Sequence, residues 1–370
     1  MLTDRSRIEC AQKCLRKRYW EYEYQGRGVV PLQAESVALC IGSAVHAGIN
    51  ALPDVDAAIR AVGFELGPLL ADDRCLEYLS LSQALVYAWN VERLPKLVEE
   101  YEILSSEQEE EPFDIGSGVM LMVRTDKILK RRSDGAVFVW NAKTTKICDD
   151  KWRKLWEFDP QTLSECLPVE KRLGRPVDGV LIEGIQKGME LEYPQGSGNK
   201  YYNSPLIWAW ENGGAWTPRY EWTDESGTHR LGKGWTKKAI WREYPLGVEG
   251  WVNYLKINHP QVLTEQFCPL PPILRSAWQV EKWKRQTSWN ELNIQHMARY
   301  AQTAPPELQM VDVLFPCESG HGNCLWPSPC PYIPLCWMNE SPDNRAAFVP
   351  RTANHEAERE SFANPGTSNQ

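Results

Sequence analysis

Asp126 and Lys143 are the most informative pair of reactive side chains in the sequence. Val119, Leu121, Val123 and Thr125 alternate with Met120, Met122, Arg124 and Asp126, which is the period of a strand over about 118–131. Ser133-Asp134-Gly135 is a turn signal, and residues 136–143 (Ala-Val-Phe-Val-Trp-Asn-Ala-Lys) supply a return strand. Folded as a hairpin, the two strands bring Asp126 opposite the residues near Lys143. Side chains two apart on a strand share a face, so Asn141 and Lys143 project together, toward Asp126. A carboxylate and a lysine on one sheet face suit phosphodiester hydrolysis. The carboxylate holds Mg²⁺ or Mn²⁺, which activates water and neutralises phosphate charge, and the lysine stabilises the transition state or helps orient the water.

The elements around this pair read as follows. Residues 4–24 suggest a basic, aromatic amphipathic helix, residues 33–50 another, and residues 54–103 are mostly helical in period. Glu107 to Glu111 with Pro112 makes an acidic break. Asp159-Pro160 is a helix start, with Pro168 expected to kink or end that helix. Residues 178–187 read as a third strand. Residues 190–246, rich in Gly, Trp and Tyr, read as an insertion or extended β arm, and 247–257 and 274–302 look helical.

In this order the segments resemble the RecB-like nucleases of the PD-(D/E)XK superfamily. Gly42-Ser43-Ala44-Val45-His46 is similar to the family's helical G-x-x-x-H motif, and Gly118 through Asp126 to its G-x-x-D strand. Trp140-Asn141-Ala142-Lys143-Thr144-Thr145 sits where the family has (D/E)-x-K-T, and Asp159-Pro160-Gln161 opens a helix similar to its Q-x-x-x-Y helix. The resemblance implies a metal site from His46, Asp126 and residue 141, a catalytic Lys143, and a Gln161 that contacts DNA or orients the lysine. Glu102 is a candidate upstream carboxylate. Position 141 departs from the family, because Asn brings no charge and hard divalent cations favour anionic oxygens. Three readings follow: a silenced relative that still binds DNA, a slow enzyme with weak metal binding, or a site into which another carboxylate has moved. Glu165, four residues after Gln161 on the same helix face, is the candidate for that move.

Eleven cysteines are present, and four crowd into 317–336: Cys317, Cys324, Cys330 and Cys336. Thiolates on a proline-stiffened loop suit a shared metal or cluster. Zinc ribbons prefer two-residue gaps, which makes zinc the second choice. A branch of the RecB-like nucleases carries a [4Fe–4S] cluster on one cysteine before the core and three after it. The Cys14-Leu15-Arg16-Lys17-Arg18-Tyr19 segment is similar to its N-terminal element, which implies Cys14, Cys324, Cys330 and Cys336 as ligands, with Cys317 and Cys10 as alternates.

Basic groups at Arg16–Arg18, at Lys127, Lys130, Arg131 and Arg132, and at Lys146, Lys151, Arg153 and Lys154 are in the sequence; the last two groups would flank the metal face and could bind phosphates. Trp208, Trp210, Trp216, Trp222 and Trp235 could stack unpaired bases. A net charge of −8 with 24% charged and 42% hydrophobic residues fits a globular chain and excludes a polycation or a disordered one. No apolar run is long enough for a membrane helix, and the start lacks a signal-peptide core, so the sequence reads as cytoplasmic, without a membrane partner. The expected fold is α/β, a mixed sheet flanked by helices. It divides into an N-terminal helical region with the His motif (1–104), a nuclease core (105–190), a Trp/Gly-rich insertion (191–246), C-terminal helices with the cysteines (247–337) and a disordered tail (338–370). The implied function is metal-dependent DNA cleavage at linear ends or on single strands, in recombination, repair or phage DNA metabolism, with recombination or replication proteins as possible partners. The alternative is a DNA-binding or scaffolding relative that has lost cleavage.

Overall fold

Val137–Thr145 (β7) buries its first six residues in succession. Phe138, Trp140 and Ala142 pack into one apolar core, while Val137 and Val139 join Ile128, Val180 and Ile182 in another. A strand covered on both sides belongs inside a sheet with helices above and below it, and the fold is mixed α/β. The computed structural model describes residues 1–32, 36–192, 200–211, 222–223, 229–230, 236–317, 324–325, 329–337 and 341–363.

The five-stranded sheet runs in the order Phe267–Pro269, β8 (Gly179–Gln186), β7, β6 (Arg124–Arg131) and β3 (Tyr101–Glu109). β6 and β7 form the expected antiparallel hairpin, with Lys127 opposite Trp140 and Lys130 opposite Val137. Asp134 accepts a hydrogen bond from the Ala136 N–H, and Gly135 takes the positive φ the turn requires. β8 lies parallel to β7, so a crossover must join them. α7 (Asp150–Leu155), α8 (Gln161–Ser164) and α9 (Cys166–Leu173) supply it.

The other sheet face carries α3 (Val37–Ala51), α4 (Val55–Glu65) and α5 (Cys75–Glu92), extended by α6 (Leu94–Glu100), α10 (Ile240–Glu243), α11 (Gly247–Asn258) and α12 (Pro260–Glu265). A small sheet joins β1 (Leu2–Thr3), β5 (Met120–Leu121) and β4 (Phe113–Asp114). Tyr201, Trp208 and Ile240 share the core with Trp89 and Leu181, so part of the expected insertion is packed against the central sheet. Trp208 is buried edge-on against Trp241, their ring centroids 4.9 Å apart, and is not open to bases. Trp216 and Trp235 lie outside the described residues.

Several expectations change. The N-terminal helix is broken: α1 (Arg5–Lys13) stops at an extended Cys14, and α2 (Leu15–Arg18) follows. Arg16 and Arg18 are buried, Arg16 bonded to Asp312 and Arg18 to Glu291, so they are structural cations. Residues 118–131 are not one strand, since β5 and β6 belong to different sheets. Residues 101–109 form an edge strand, whereas the sequence pattern predicts the end of a helical stretch and an acidic break there. Pro168 does not end its helix; the break falls at Glu165, and Pro168 sits in the first turn of α9, where a missing N–H costs nothing. Lys130, Arg131 and Arg132 stand at the turn end of the hairpin, about 13–20 Å along the strand from Asp126, too far to flank it.

The tail expected to lack structure folds back. Phe348–Pro350 pairs antiparallel with β2 (Val29–Pro31), and a helix follows at Glu356–Ala363. Its Glu358 is 1% exposed and accepts from both Arg7 and Arg351. Burial works against the Glu358 charge, and the two guanidinium groups overcome it, holding the carboxyl below its ordinary range. Removing one member of a buried ion cluster costs about 3–5 kcal/mol, because the partners stay desolvated and unpaired. Glu358→Ala should lower the denaturant midpoint accordingly and open the chain near residue 350 to protease. A wild-type midpoint and cleavage pattern would show that these ion pairs do not anchor the segment.

Candidate metal centre and catalytic cleft

His46 reaches the sheet because α3 lies close against it. The Ser36 hydroxyl caps the helix, accepting from the Leu39 N–H at 3.2 Å. Gly42 permits the approach: a Cβ there would stand 3.0 Å from the Thr144 hydroxyl. One turn later, His46 Nε2 lies 2.8 Å from Asp126 Oδ2 and Nδ1 lies 3.3 Å from Glu107 Oε1. His46, Glu107 and Asp126 offer ligand atoms within 4.8 Å of one another. Asn50, a further turn along α3, donates to Glu107, lies 3.1 Å from His46 Nδ1 and accepts from Lys127 Nζ at 3.0 Å. Lys127 is therefore spent inside the protein, and burial holds its ammonium below the ordinary lysine range.

Asp126 leaves the β6–β7 ladder to accept the Ala142 N–H at 3.0 Å. Burial opposes its ionisation, but His46, Lys143 and this N–H outweigh that and keep the carboxyl below its ordinary range. Burial also disfavours charging His46, yet Asp126 and Glu107 raise its pKa. Glu107 is itself raised, first by burial and also by the charge of Asp126.

Asn141 is fully buried and forms a closed set with α8 and the residue that follows it. Its Nδ2 donates to Glu165 Oε2 at 2.6 Å, and its Oδ1 accepts from Gln161 Nε2 at 3.0 Å. Gln161 also donates to Glu165, and Arg5 donates to Gln161 Oε1. Gln161 is 3% exposed, and its side chain is bonded to Asn141, Glu165 and Arg5. Lys143, two residues along β7, borders a cleft of about 430 Å³ with His46, Asp126, Gln161 and Glu165, and a second one of about 760 Å³ with Glu107, Arg124 and Lys187.

Four lining or supporting residues were not read from the sequence: Glu107, Arg5, and Asn354 with His355 from the folded tail. Ser106 pairs with Lys127 and Gln108 with Thr125, which sets Glu107 across from Asp126. Glu102 is at the other end of β3, opposite Lys130 and half exposed, away from His46 and Asp126; the carboxylate of β3 that stands beside them is Glu107.

Glu165 is pushed up to about 7, mainly by burial, with Lys143 drawing it back and Asp126 adding to the rise. The folded state thus binds this proton more tightly than the unfolded chain. The resulting stability is full below about pH 4.5 and is lost as pH rises through about 7, a swing of about 3 kcal/mol. In EDTA, the Tm of the wild type should fall over that window relative to Glu165→Gln. Parallel Tm profiles would refute the shift.

The cysteines gather at the far end of α1. The Lys17 N–H donates to Cys14 Sγ at 3.5 Å. Burial raises Cys330, which also feels Cys14 and Cys324. Burial raises Cys317 as well; it feels Cys14 and Cys324 and shares a hydrogen bond with Cys336. Cys10 is buried one turn away with its thiol on Glu21, its pKa pushed up to about 12 by burial first and then by that carboxylate. Among the described residues no helix is long and apolar enough to cross a membrane. No protein-family model matches the chain, and no curated protein matches it.

Proposed function

We propose that the chain is a metal-dependent deoxyribonuclease of the PD-(D/E)XK, RecB-like kind, working on linear ends or single strands in the reducing cytoplasm, alongside recombination or replication proteins. The supporting observation is the Glu165 carboxylate bonded directly to Asn141, on the sheet face that carries Asp126 and Lys143. The missing charge at position 141 is replaced from the neighbouring helix.

His46, Glu107 and Asp126, with Glu165 across the cleft, would hold Mg²⁺ or Mn²⁺; an imidazole among them favours Mn²⁺. Such an ion, when bound, polarises a phosphate oxygen and lowers the pKa of water. Lys143 places an ammonium where charge develops on the phosphate. Gln161 and Arg5 are positioning residues that hold Asn141 and Glu165. Arg124, at the edge of both clefts, would take a neighbouring phosphate. At the other end, Cys14, Cys324, Cys330 and Cys336 would hold a [4Fe–4S] cluster, with Cys317 a fifth thiol beside them and zinc the second choice. Arg16 and Lys17, which the thiols feel electrostatically, would offset its negative charge.

A second reading, a DNA-binding relative without cleavage, is favoured by one observation: both ends of the Asn141 amide are occupied by protein groups. Labelled single- and double-stranded linear DNA with Mn²⁺ or Mg²⁺ decides between them. The wild type should cleave, and Lys143→Ala should lose about 100-fold or more. An inert wild type that binds DNA would establish the second reading, and one that neither cuts nor binds would end both.

A further inference from the structure

α13 (Ala277–Thr303) is the longest helix described, at 27 residues. Its buried side carries Trp283, Thr287, Glu291, Ile294 and Ala298. Away from that side stand Trp278, Trp289 and Tyr300, which are 66%, 66% and 53% exposed. Each follows the last by eleven residues. At about 3.6 residues per turn, eleven residues complete almost a whole number of turns, so the three rings stand in one line. Successive rings are about 16 Å apart along the axis, and the line is about 33 Å long.

Exposed basic and polar groups stand in the intervals. Lys282 and Arg285 lie on the same side between Trp278 and Trp289, His296 follows on that side, and Arg299 is next to Tyr300. Lys282 Nζ sits 5.0 Å from the Trp278 ring centroid. Glu281, on the same helix, is bonded to Lys284 at 2.9 Å. Single exposed aromatics are ordinary on a protein surface, but three in register with cations between them make a patterned face. A protein partner of the usual kind would want contiguous apolar area, which the cations interrupt. A polyanion with flat rings along it matches the pattern better. A duplex hides its base faces, whereas a single strand offers them for stacking while its phosphates meet the cations.

The helix also connects the two chemical ends of the molecule. Just before it, Arg275 donates to the Thr162 hydroxyl at 3.1 Å, on the helix that begins with Gln161. Toward its other end, Ile294 and Ala298 pack in the cluster that includes Tyr19, Trp20, Cys330 and Cys336. We propose that the Trp278–Trp289–Tyr300 line is a binding track for single-stranded nucleic acid. That the strand is also the substrate rests on the deoxyribonuclease reading above.

The test is fluorescence anisotropy of a labelled oligothymidylate of about 20 nucleotides, titrated with the full chain in EDTA. Losing base–aromatic stacks should weaken binding of Trp278→Ala/Trp289→Ala by about tenfold or more, while Trp278→Phe/Trp289→Phe stays within about threefold. Lys282→Glu/Arg285→Glu should also bind more weakly, with a salt dependence shallower by about 1.4 in log–log slope. Wild-type affinity in the alanine variant overturns the track, as does a wild type that does not bind the oligonucleotide. A variant that changes only the association state in sedimentation overturns it too, in favour of a protein surface. Cleavage of the same oligonucleotide with Mn²⁺, run in parallel, keeps the two readings apart. Ring-dependent binding without cleavage supports the track and fails the nuclease reading. Cleavage with ring-independent binding does the reverse.

Discussion

Glu165→Gln is expected to cut metal-dependent cleavage by about 100-fold or more, and adding Asn141→Asp to restore much of it. The argument is geometric. Glu165 Oε2 is 2.6 Å from the Asn141 amide, so the helix carboxylate stands where a strand carboxylate at 141 would end. An amide in place of Glu165 keeps the side chain's shape but accepts at one oxygen only, so it loses one of the two hydrogen bonds from Asn141 and Gln161 together with the charge that a hard cation needs. Asn141→Asp alone should behave differently. Two carboxylates in contact cannot both ionise at neutral pH without a cation between them, so the pair shares a proton and its upper pKa rises. That variant should cleave best at higher pH than the wild type, and Asn141→Asp/Glu165→Gln should not show the displacement. Cleavage rates across about pH 6–9 for the four proteins decide it. Full activity in Glu165→Gln would leave Glu165 a structural group, and the site would then rest on His46, Glu107 and Asp126.

Much of this site was legible in the sequence, for a simple reason. The hairpin announces itself by a period of two and a turn signal, and strand geometry then dictates that Asp126, Asn141 and Lys143 share a face. Glu165 was visible by helix spacing from Gln161. Glu107 was not. It lies on an edge strand whose exposed, charged residues (Tyr-Glu-Ile-Leu-Ser-Ser-Glu-Gln-Glu) carry no apolar alternation, as edge strands that avoid further pairing tend not to. It also has φ +48, a left-handed conformation that no pattern of residue types revealed. The buried arginines were missed for a related reason. Arg7, Arg16 and Arg18 read as a solvated basic face because their acidic partners, Glu358, Asp312 and Glu291, are hundreds of residues away in the chain. Local period predicts which groups share a face; it does not tell which distant carboxylate will cover them.

The same long-range closure underlies the last expectation, that Cys14→Ser will lose bound iron and sulfide and lower the Tm by about 7 °C. Cys14 and Cys330 are near enough to feel each other's charge although more than 300 residues separate them. A covalent staple closing a loop of that size removes about 5–6 kcal/mol of unfolded-state freedom in the chain-entropy estimate. For a chain this long each kcal/mol moves the Tm by about 1.3 °C. Burial raises the Cys330 and Cys336 thiols, so a metal centre that takes them as thiolates must displace their protons, and the binding energy it adds is collected only by the folded chain. Cys75→Ser, far from the cluster in sequence and on α5, serves as the control and should keep both metal and Tm. The measurement is iron, sulfide and zinc content with visible absorption on protein purified without oxygen, beside thermal unfolding of the same samples. Zinc without iron would transfer the staple to a single ion held by the same thiols. Neither metal, with an unchanged Tm in Cys14→Ser, would mean that the tail's own anchors (Glu358 on Arg7, and the strand pairing at Val29–Pro31) are sufficient to hold the two ends together.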